Sequence, residues 1–555
     1  MSDRFMKGAM ILSLSMFLTR LLGLFYLVPF QRLVGLGGIA LYGYAYVPYT
    51  LLVTLSTLGI PIGMARFIAK YNADGEYDTS RKIFRVGMLI MILVGMLGFL
   101  IMWFGAPLLA SWAMAGNETA GENLYNSLDD VITAIRMVSF AVIVVPPMSI
   151  FRGFFQGNQD MHPTAISQLV EQLVRIVLII SASFVVVRIL GGSSQTAVNI
   201  SVFAAFIAGI SSLVVLFRYW NKEKPTFDAL LPLTKPHPKR QTKVLFKELL
   251  SYALPFALIS LSLTWFQMID NVTFTAGMMR AGVPRGMAQE IFGIFVVILL
   301  KMVMIPVSFS IAFSQPLIPE ITEKIRLRDF RSVQQTLMTA IMLTSFVTVP
   351  AVIGMSMLSN PIFVILSNTH DAEMNAIGGA IFSVGAFIAL VMGLNGILSA
   401  TIQGINRQFK ALIFLIIAGV IKLVGNLVLI PIPMLNAYGA IISTILAYAF
   451  CLVMNYLEIR KATGIKTRLI LKRHFSIFLL TGIMALVVWG TTSILNLFLD
   501  YTKSSLQAAI YVAIAGIIGA FVYGVLAIYF DLAKSLFGEK LSYDRIRARF
   551  RRRKT

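Results

Sequence analysis

The sequence has few of the groups on which soluble enzymes depend. Only 13% of its 555 residues are charged, and Cys451 is its single cysteine, which excludes an intramolecular disulfide. The four histidines, His162, His237, His370 and His474, are too widely separated to resemble a metal site. No G-x-x-x-x-G-K-[ST] motif is present, so the chain has no phosphate-binding loop of the kind used in ATP hydrolysis. We therefore expect no metal, no cofactor and no enzymatic activity.

Apolar residues are what the sequence has in abundance. They make up 57% of the chain, and the mean hydropathy is +0.82. Long uncharged runs of this kind are typical of helical proteins that cross the membrane many times. The runs do not alternate every second residue as the strands of a membrane β-barrel do. The first run is long and no A-x-A-like site follows it, so we do not expect a cleaved signal peptide.

The apolar runs, bounded by charged residues, Gly, Pro or Asn, predict an all-α polytopic membrane protein with about fourteen transmembrane helices. The predicted spans are 8–30, 40–66, 84–114, 131–155, 164–190, 196–218, 248–276, 287–315, 333–359, 376–402, 410–431, 437–458, 474–499 and 505–530.

The loops between these spans alternate in charge. Loops that follow odd-numbered spans are poor in Lys and Arg and contain acids, as at Asp129 and Asp130. Loops that follow even-numbered spans are basic, and the longest of them covers residues 219–247. The positive-inside rule therefore predicts that both termini are cytoplasmic. We attribute the net charge of +22 and the basic tail to this topology and to anionic lipid, in preference to nucleic acid.

A weak internal repeat divides the chain. An offset of 247 residues aligns Gln156-Gly157 after span four with Gln403-Gly404 after span ten, and Arg175 with Lys422. An even number of spans per repeat gives both halves the same orientation. Transporters built in this way hold their substrate between the halves and alternate access by rocking them.

The repeat predicts a specific domain organisation. We expect a six-helix half at 1–218, a basic cytoplasmic linker at 219–247, a second six-helix half at 248–459, and helices thirteen and fourteen with a basic tail at 460–555.

Five cations within the predicted spans cannot be assigned to the basic cytoplasmic loops or to the outer ends: Arg20, Arg136, Arg175, Lys301 and Lys422. Arg20 and Lys301 lie near the middle of spans one and eight, where a cation facing lipid costs at least ~2.5–3.5 kcal/mol. If both face a cavity between the halves, they favour an anionic substrate such as a phosphate or pyrophosphate. The alternative is that carbonyl groups or a buried acid satisfy Arg20. Lys422 and Arg175 are further candidates for substrate binding.

Three more charged residues are candidates for a gate or an ion pair. Glu171 and Arg175 are four residues apart on one helix face, which favours an internal ion pair over substrate contact. Arg136 lies close enough to the outer boundary to extend its charge towards water. Asp270, near the outer end of span seven, could pair with a cavity cation in one state and release it in another.

Two segments carry a resemblance to a known family. Thr19-Arg20-Leu-Leu-Gly23-Leu resembles the Ser-Arg-x-Leu-Gly segment of the MurJ-type lipid II flippases. Lys301-Met-Val-Met-Ile-Pro306 is similar to the segment where that family has an Arg or Lys five residues before a proline. With its 6+6+2 helix pattern, the chain resembles the multidrug/oligosaccharidyl-lipid/polysaccharide exporter superfamily. The likeness is to the Gram-positive branch, with the YtgP-type flippase and stage V sporulation protein B.

The resemblance implies a bacterial cell-membrane flippase that moves undecaprenyl-pyrophosphate-linked peptidoglycan precursor from the inner to the outer leaflet. It implies that Arg20 and Lys301 bind substrate, that spans thirteen and fourteen form a groove for the lipid tail, and that membrane potential or an ion gradient drives transport. Membrane lipids, and cell-wall synthesis or division machinery, are the implied partners. The sequence departs from the Gram-negative pattern at Tyr26, and at Val53 or Thr54, where that pattern has arginines.

Other functions stay open on sequence alone. A flippase for another undecaprenyl-linked polysaccharide or a spore-cortex precursor would share every feature above. A drug or cation antiporter is less favoured, because Glu171 is the only clear acid in the middle of a span. A membrane glycosyltransferase would need Asp129 or Asp130, an adjacent pair more typical of an outer loop. A scaffold of the division machinery would need neither Arg20 nor Lys301.

Overall fold

A computed structural model describes residues 26–57, 60–114, 125–158, 160–236, 262–367, 371–465 and 467–532, with the single positions 19, 22 and 23. All regular secondary structure in these ranges is helical. The α-helices are α1 Leu27–Thr57, α2 Ile60–Asp74, α3 Tyr77–Met114, α4 Leu128–Gly157, α5 His162–Phe184, α6 Ser194–Ala229, α7 Ser262–Arg280, α8 Arg285–Phe292, α9 Leu300–Arg326, α10 Phe330–Met357, α11 Ser359–Ser367, α12 Ala372–Gly385, α13 Ile388–Gly404, α14 Gln408–Leu429, α15 Ala437–Thr463, α16 Thr467–Phe498 and α17 Ser505–Tyr529.

The all-α polytopic fold predicted from the sequence is confirmed. Among the described residues, twelve helical segments are long and apolar enough to cross a membrane. Eleven of them coincide with predicted spans three to six and eight to fourteen. The twelfth, Leu27–Leu55, begins thirteen residues before predicted span two (40–66), and α2 begins inside that span, so the predicted bounds of span two are wrong. Predicted span one lies mostly outside the described residues, and α7 is the described part of span seven.

Helix α6 continues well beyond the end predicted from hydropathy at residue 218. Arg81, buried at the start of α3, forms an ion pair with Asp228. Its guanidinium also lies 4.6 Å from the ring centroid of Trp220 and 5.7 Å from that of Phe227. These contacts pack the polar end of α6 against α3, so the helix continues although its sequence no longer suits the bilayer.

The chain divides into two compact units. Unit 1 contains residues up to Val297 and also Asn426–Asn436, whereas unit 2 contains Ile298–Gly425 and the residues from Ala437 onwards. The first crossing between the units therefore falls inside predicted span eight, between Val297 and Ile298.

The described helices depart from α-helical geometry in two ways, by one break and by two π-helices. Helix α1 is broken at Gly35, whose φ of +72° is a left-handed value that glycine adopts without steric cost. In the described part of the chain, π-helices occur at Val185–Ile189, where α5 ends, and at Gly293–Leu299, between α8 and α9. The second π-helix ends two residues before Lys301.

The glycine of each Gln-Gly dipeptide makes a similar close packing contact in its own unit. In unit 1, a Cβ added at Gly157 would lie 2.6 Å from Cβ of Ile68 and 2.8 Å from the carbonyl oxygen of Ala65. In unit 2, a Cβ at Gly404 would lie 2.8 Å from Cβ of Ile321 and 3.1 Å from the carbonyl oxygen of Ile318. Each glycine thus meets an isoleucine and the carbonyl three residues before it, so the repeated Gln-Gly dipeptide marks a close helix crossing.

Candidate functional site

Lys301 lies half-buried at the start of α9, and the next residue, Met302, lines an apolar groove in unit 2. The groove has a volume of about 500 Å³. From α9 it is lined by Met302, Ile305, Pro306 and Phe309, which follow one face of the helix. Since Lys301 and Ile305 are four residues apart, the cation shares a helix face with part of the groove wall.

The other walls of the groove come from α10, α11, α16 and α17. Their lining side chains are apolar except for Tyr523, whose hydroxyl donates to the carbonyl oxygen of Phe346 at 3.1 Å. A Cβ added at Gly354 or Gly516 would meet no atom within 4 Å, so both glycines face open space in the groove. The lining residues from these helices are Phe346, Val347, Pro350, Ala351, Gly354, Met355, Ile362, Met484, Val488, Ala515, Gly516, Gly519, Ala520 and Tyr523. Such a surface suits a hydrocarbon chain and offers little to a polar group.

A second candidate site is the charged cluster of unit 1, formed by Arg152 on α4 with Glu171 and Arg175 on α5. Arg175 Nη2 donates to Glu171 Oε1 at 2.6 Å, and Arg152 Nη2 donates to Glu171 Oε2 at 2.8 Å. Arg152 also donates to Ser167 Oγ at 3.2 Å and to Ser212 Oγ at 2.9 Å. Two cations thus share one carboxylate, and the cluster carries one net positive charge.

A group of tyrosines on α1 extends this cluster. Arg175 Nη1 donates to the hydroxyl of Tyr46 at 3.0 Å, and the Tyr46 ring stacks on Tyr42 with 4.8 Å between centroids. The Tyr42 and Tyr26 hydroxyl oxygens are 3.3 Å apart. Tyr26, the residue that departs from the family pattern, therefore belongs to a polar chain that leads to Arg175.

Lys422 on α14 is completely buried in unit 2. Its ammonium donates to Thr444 Oγ1 at 2.7 Å, to the carbonyl oxygen of Ala440 at 3.1 Å and to Ser443 Oγ at 3.4 Å. A lysine ammonium has three N–H donors, and these three oxygens match them in number. Lys422 is therefore a buried cation whose ammonium is bound by residues of α15.

Asp270 on α7 is also buried, with 2% of its surface exposed. Its Oδ1 accepts a hydrogen bond at 2.8 Å from Nδ2 of Asn426, which also donates to Thr273 Oγ1 at 2.8 Å. Asp270 therefore takes part in a buried polar network within unit 1.

Arg136 is not part of the groove or of the charged cluster. The Arg136 guanidinium lies 5.6 Å from the ring centroid of Trp103, and Nε donates to the Trp103 carbonyl oxygen at 3.5 Å. Such a cation–π contact accounts for the charge without a ligand. Arg20, the first cation singled out in the sequence, lies outside the described residues.

Asp130, one of the two acids that a glycosyltransferase would need, caps a helix. Asp130 Oδ2 accepts from the backbone N–H of Ser127 at 2.9 Å, while Ser127 Oγ accepts from the backbone N–H of Asp130 at 3.2 Å. This capping box begins α4. Within the described ranges, no group of three or more His, Cys, Asp or Glu side chains could hold a metal ion.

Sequence reasoning missed Arg152 and the exact lining of the groove. Arg152 falls inside predicted span four, near its C-terminal end, and is not among the five cations singled out from the sequence. The available signal was a cation inside a span with a glutamate in the next span. The groove gives no comparable signal, because its residues are as apolar as those that face lipid.

Comparison with known proteins adds family evidence to this geometry. A model of the polysaccharide biosynthesis protein family matches residues 5–325, and a model of the lipid II flippase MurJ family matches residues 300–512. The lipid II flippase MurJ of Bacillus subtilis (strain 168) is 36% identical over 541 residues, covering 98% of each chain.

Solved structures show the same fold. The lipid II flippase MurJ in an inward closed conformation aligns with a TM-score of 0.67 at 15% identity, covering 94% of this chain and 99% of that one. An inward-facing multidrug resistance MATE family transporter aligns with a TM-score of 0.64 at 14% identity, covering 80% and 98%.

Proposed function

Because the chain belongs to the family of MurJ lipid II flippases, we infer that it moves the undecaprenyl-linked peptidoglycan precursor, lipid II, from the inner to the outer leaflet of the bacterial membrane. It is a multi-pass membrane transporter of the superfamily that also contains the MATE transporters. The remaining question is how its own residues receive a substrate that is anionic at one end and a long hydrocarbon at the other.

The observation that best supports a mechanism is that Lys301 directly precedes Met302, which lines the apolar groove of unit 2. The substrate joins a pyrophosphate directly to a prenyl chain, so a site for it needs a cation next to an apolar surface. Helix α9 carries both. We propose that Lys301 binds the pyrophosphate and that the groove holds the first part of the prenyl chain, with Arg20 as a second cation.

The contact of the prenyl chain with the groove and that of the pyrophosphate with Lys301 differ in energy. Moving the prenyl chain from lipid into the groove changes little, because lipid tails are as apolar as leucine side chains. Hydrogen bonds to a charged group contribute about 1.5–3 kcal/mol each. Lys301 therefore supplies affinity, whereas the groove determines where the chain lies. Arg175 is a candidate for contact with the head group, because its cluster with Arg152 and Glu171 carries one net positive charge. Lys422 is better supported as a structural cation.

We propose that the membrane potential or an ion gradient drives transport. A potential that is negative inside favours outward movement of an anion, by about 2.3 kcal/mol per charge per 100 mV. Both termini would be cytoplasmic, in line with the basic loops. Enzymes of cell-wall synthesis or division that consume the precursor at the outer surface are candidate partners.

The test is complementation of a Gram-positive host depleted of its own lipid II flippase. We expect the parent chain to restore growth and outer-leaflet lipid II, Lys301→Ala and Arg20→Ala to fail, and Lys301→Arg to retain more activity than Lys301→Ala. Lys324→Ala, on the same helix but outside the membrane, is the matched control and should support growth.

The comparison requires that the parent and the variants are present in the membrane in equal amounts. Failure of a well-inserted parent would contradict lipid II as the substrate. Normal rescue by Lys301→Ala would retain the function but remove Lys301 from the site.

A further inference from the structure

Arg285 is the first residue of α8 and belongs to the helix face that packs inside unit 1. Its neighbours on that face are Ala288, Gln289 and Phe292, which are also buried and follow at spacings of three, four and seven residues. Phe292 stacks on Tyr44 of α1 with 4.3 Å between ring centroids. The Arg285 side chain is therefore directed into the protein, and only 5% of the residue's surface is exposed.

Within the described part of the chain, no acid or hydrogen-bond acceptor is paired with Arg285, and its Nε is enclosed without a partner. Glu290, the nearest acid in the sequence, is turned away by about 140° on the helix, and it is hydrogen-bonded to the Tyr125 hydroxyl. The charge of Arg285 acts on the hydroxyl of Tyr44, but that hydroxyl is 2.7 Å from Thr275 Oγ1 and shares a hydrogen bond with it. Buried charges in proteins are normally paired, so this cation lacks a counter-charge.

The start of α8 adds positive partial charge at the same place. Its N-cap residue, Pro284, makes no side-chain cap, so no N-cap side chain satisfies the first backbone N–H groups of the helix. Side chains on an α-helix lean towards its N-terminus, so the Arg285 guanidinium and these N–H groups face the same space. Gly282 and Pro284 are exposed, which leaves the helix start open to solvent. Helix N-termini of this kind attract anions.

Membrane topology does not account for Arg285. The residue lies in 277–286, the loop that follows predicted span seven. Loops that follow odd-numbered spans are predicted to lie outside, where Lys and Arg are scarce. The positive-inside rule, which explains the cations of the cytoplasmic loops, therefore gives no reason for an arginine here.

We propose that Arg285 and the N-terminus of α8 form a further anion site, at the predicted outer end of unit 1, that binds a phosphate-type anion. A guanidinium presents its N–H donors in a planar fork that matches phosphate oxygens, and the helix start supplies backbone donors. The inference rests on the proposed function, in which the substrate carries a pyrophosphate. The site would hold this pyrophosphate at the end of its outward path.

Binding of inorganic pyrophosphate to the purified protein tests the site directly. The measurement uses a background with Arg20→Ala and Lys301→Ala, so that the cations of the proposed substrate site do not contribute. In this background Arg285→Met should weaken binding by about tenfold or more, and Arg285→Lys, which keeps the charge but not the fork, should weaken it less. Arg280→Met, which removes an exposed arginine from the same loop, is the matched control and should bind as the background protein does.

Thermal unfolding separates a ligand site from a structural arginine. In phosphate-free buffer, Arg285→Met should unfold at the same temperature as the parent or higher, because methionine removes a buried charge that has no partner and keeps an apolar side chain in its place. Added pyrophosphate should raise the melting temperature of the parent more than that of the variant. A lower melting temperature of the variant, with an unchanged response to pyrophosphate, would overturn the inference.

A comparison of two ligands identifies the source of the anion. Undecaprenyl pyrophosphate should show the same dependence on Arg285 as inorganic pyrophosphate does. In the depleted host, outer-leaflet lipid II should fall with Arg285→Met and stay normal with Arg280→Met. A dependence on Arg285 for inorganic pyrophosphate alone would mean that the site binds free anions, which would overturn its role in export.

The binding measurement also separates this inference from the proposed function. Normal transport by Lys301→Ala would contradict the role of Lys301 without affecting the result for Arg285, because the background protein lacks Lys301. Failure of the parent chain to restore lipid II would contradict the substrate, while binding of pyrophosphate at Arg285 is measured independently. Equal binding by the background protein and by its Arg285→Met form would overturn the inference, whatever the transport experiments show.

Discussion

Arg152 on α4 donates a hydrogen bond to Glu171 on α5 at 2.8 Å, although Glu171 is already paired with Arg175 on its own helix. One carboxylate therefore holds two guanidinium groups together in the interior of unit 1. The arrangement is stable only while the carboxylate is present, because two adjacent cations in a region of low dielectric repel each other.

Glu171→Gln should destabilise the protein by about 3 kcal/mol, at the lower end of the range for breaking a buried pair, because the three side chains remain 15–16% exposed. The melting temperature of the purified protein measures the effect. The double variant Glu171→Gln with Arg152→Gln restores one net positive charge and should recover part of the loss. Exposed Glu373→Gln is the control, with an effect within about 0.5 kcal/mol. A melting temperature unchanged by Glu171→Gln would show that the cluster does not need the acid.

Gly516→Phe should block transport without destabilising the protein. A Cβ at Gly516 meets open space, so the phenyl group would enter the groove and take the place of the hydrocarbon chain. Gly524→Phe is matched in helix and in open surroundings but does not line the groove, and it should transport normally. Outer-leaflet lipid II in the depleted host is the measurement. If both variants were active, the groove would not be the path of the chain.

Gly157→Ala and Gly404→Ala should each destabilise their own unit by about 1–3 kcal/mol, the usual effect of overpacking. Each methyl group would lie under 3 Å from an isoleucine Cβ that belongs to a packed helix. At Gly482 on α16 a Cβ meets nothing within 4 Å, so Gly482→Ala should raise stability by about 0.4–1 kcal/mol. Thermal unfolding of the three variants checks both signs, and equal effects at all three positions would contradict the close crossings.

Stability should depend on pH through Glu320, near the C-terminal end of α9 and beyond its apolar span. The hydrogen bond from Lys324, at 2.5 Å, lowers the pKa of Glu320 below its ordinary value of 4.5. The unfolded chain then binds a proton more readily than the folded one, so the stabilisation is present above pH 4.5 and is lost as the pH falls through the lowered pKa. Glu320→Gln should be less stable than the parent near neutral pH and equal to it at low pH. A difference that persists in acid would assign the effect to packing.

The apolar runs alone predicted the all-α membrane fold and most helix positions, because transfer of a segment of about 20 apolar residues into lipid depends on local composition. The sequence also singled out Lys301, since a cation in such a run is costly wherever its neighbours lie. Arg175 and Glu171 were recognisable as a pair because four residues make one helical turn.

Other features depend on residues that are distant in the chain. Arg152 reaches Glu171 only because α4 packs on α5, and α6 continues to Ala229 because Arg81 holds Asp228. The groove combines side chains from five helices whose apolar residues look the same in sequence whether they face lipid or protein. Composition decided what enters the membrane, whereas tertiary packing decided which of those residues meet.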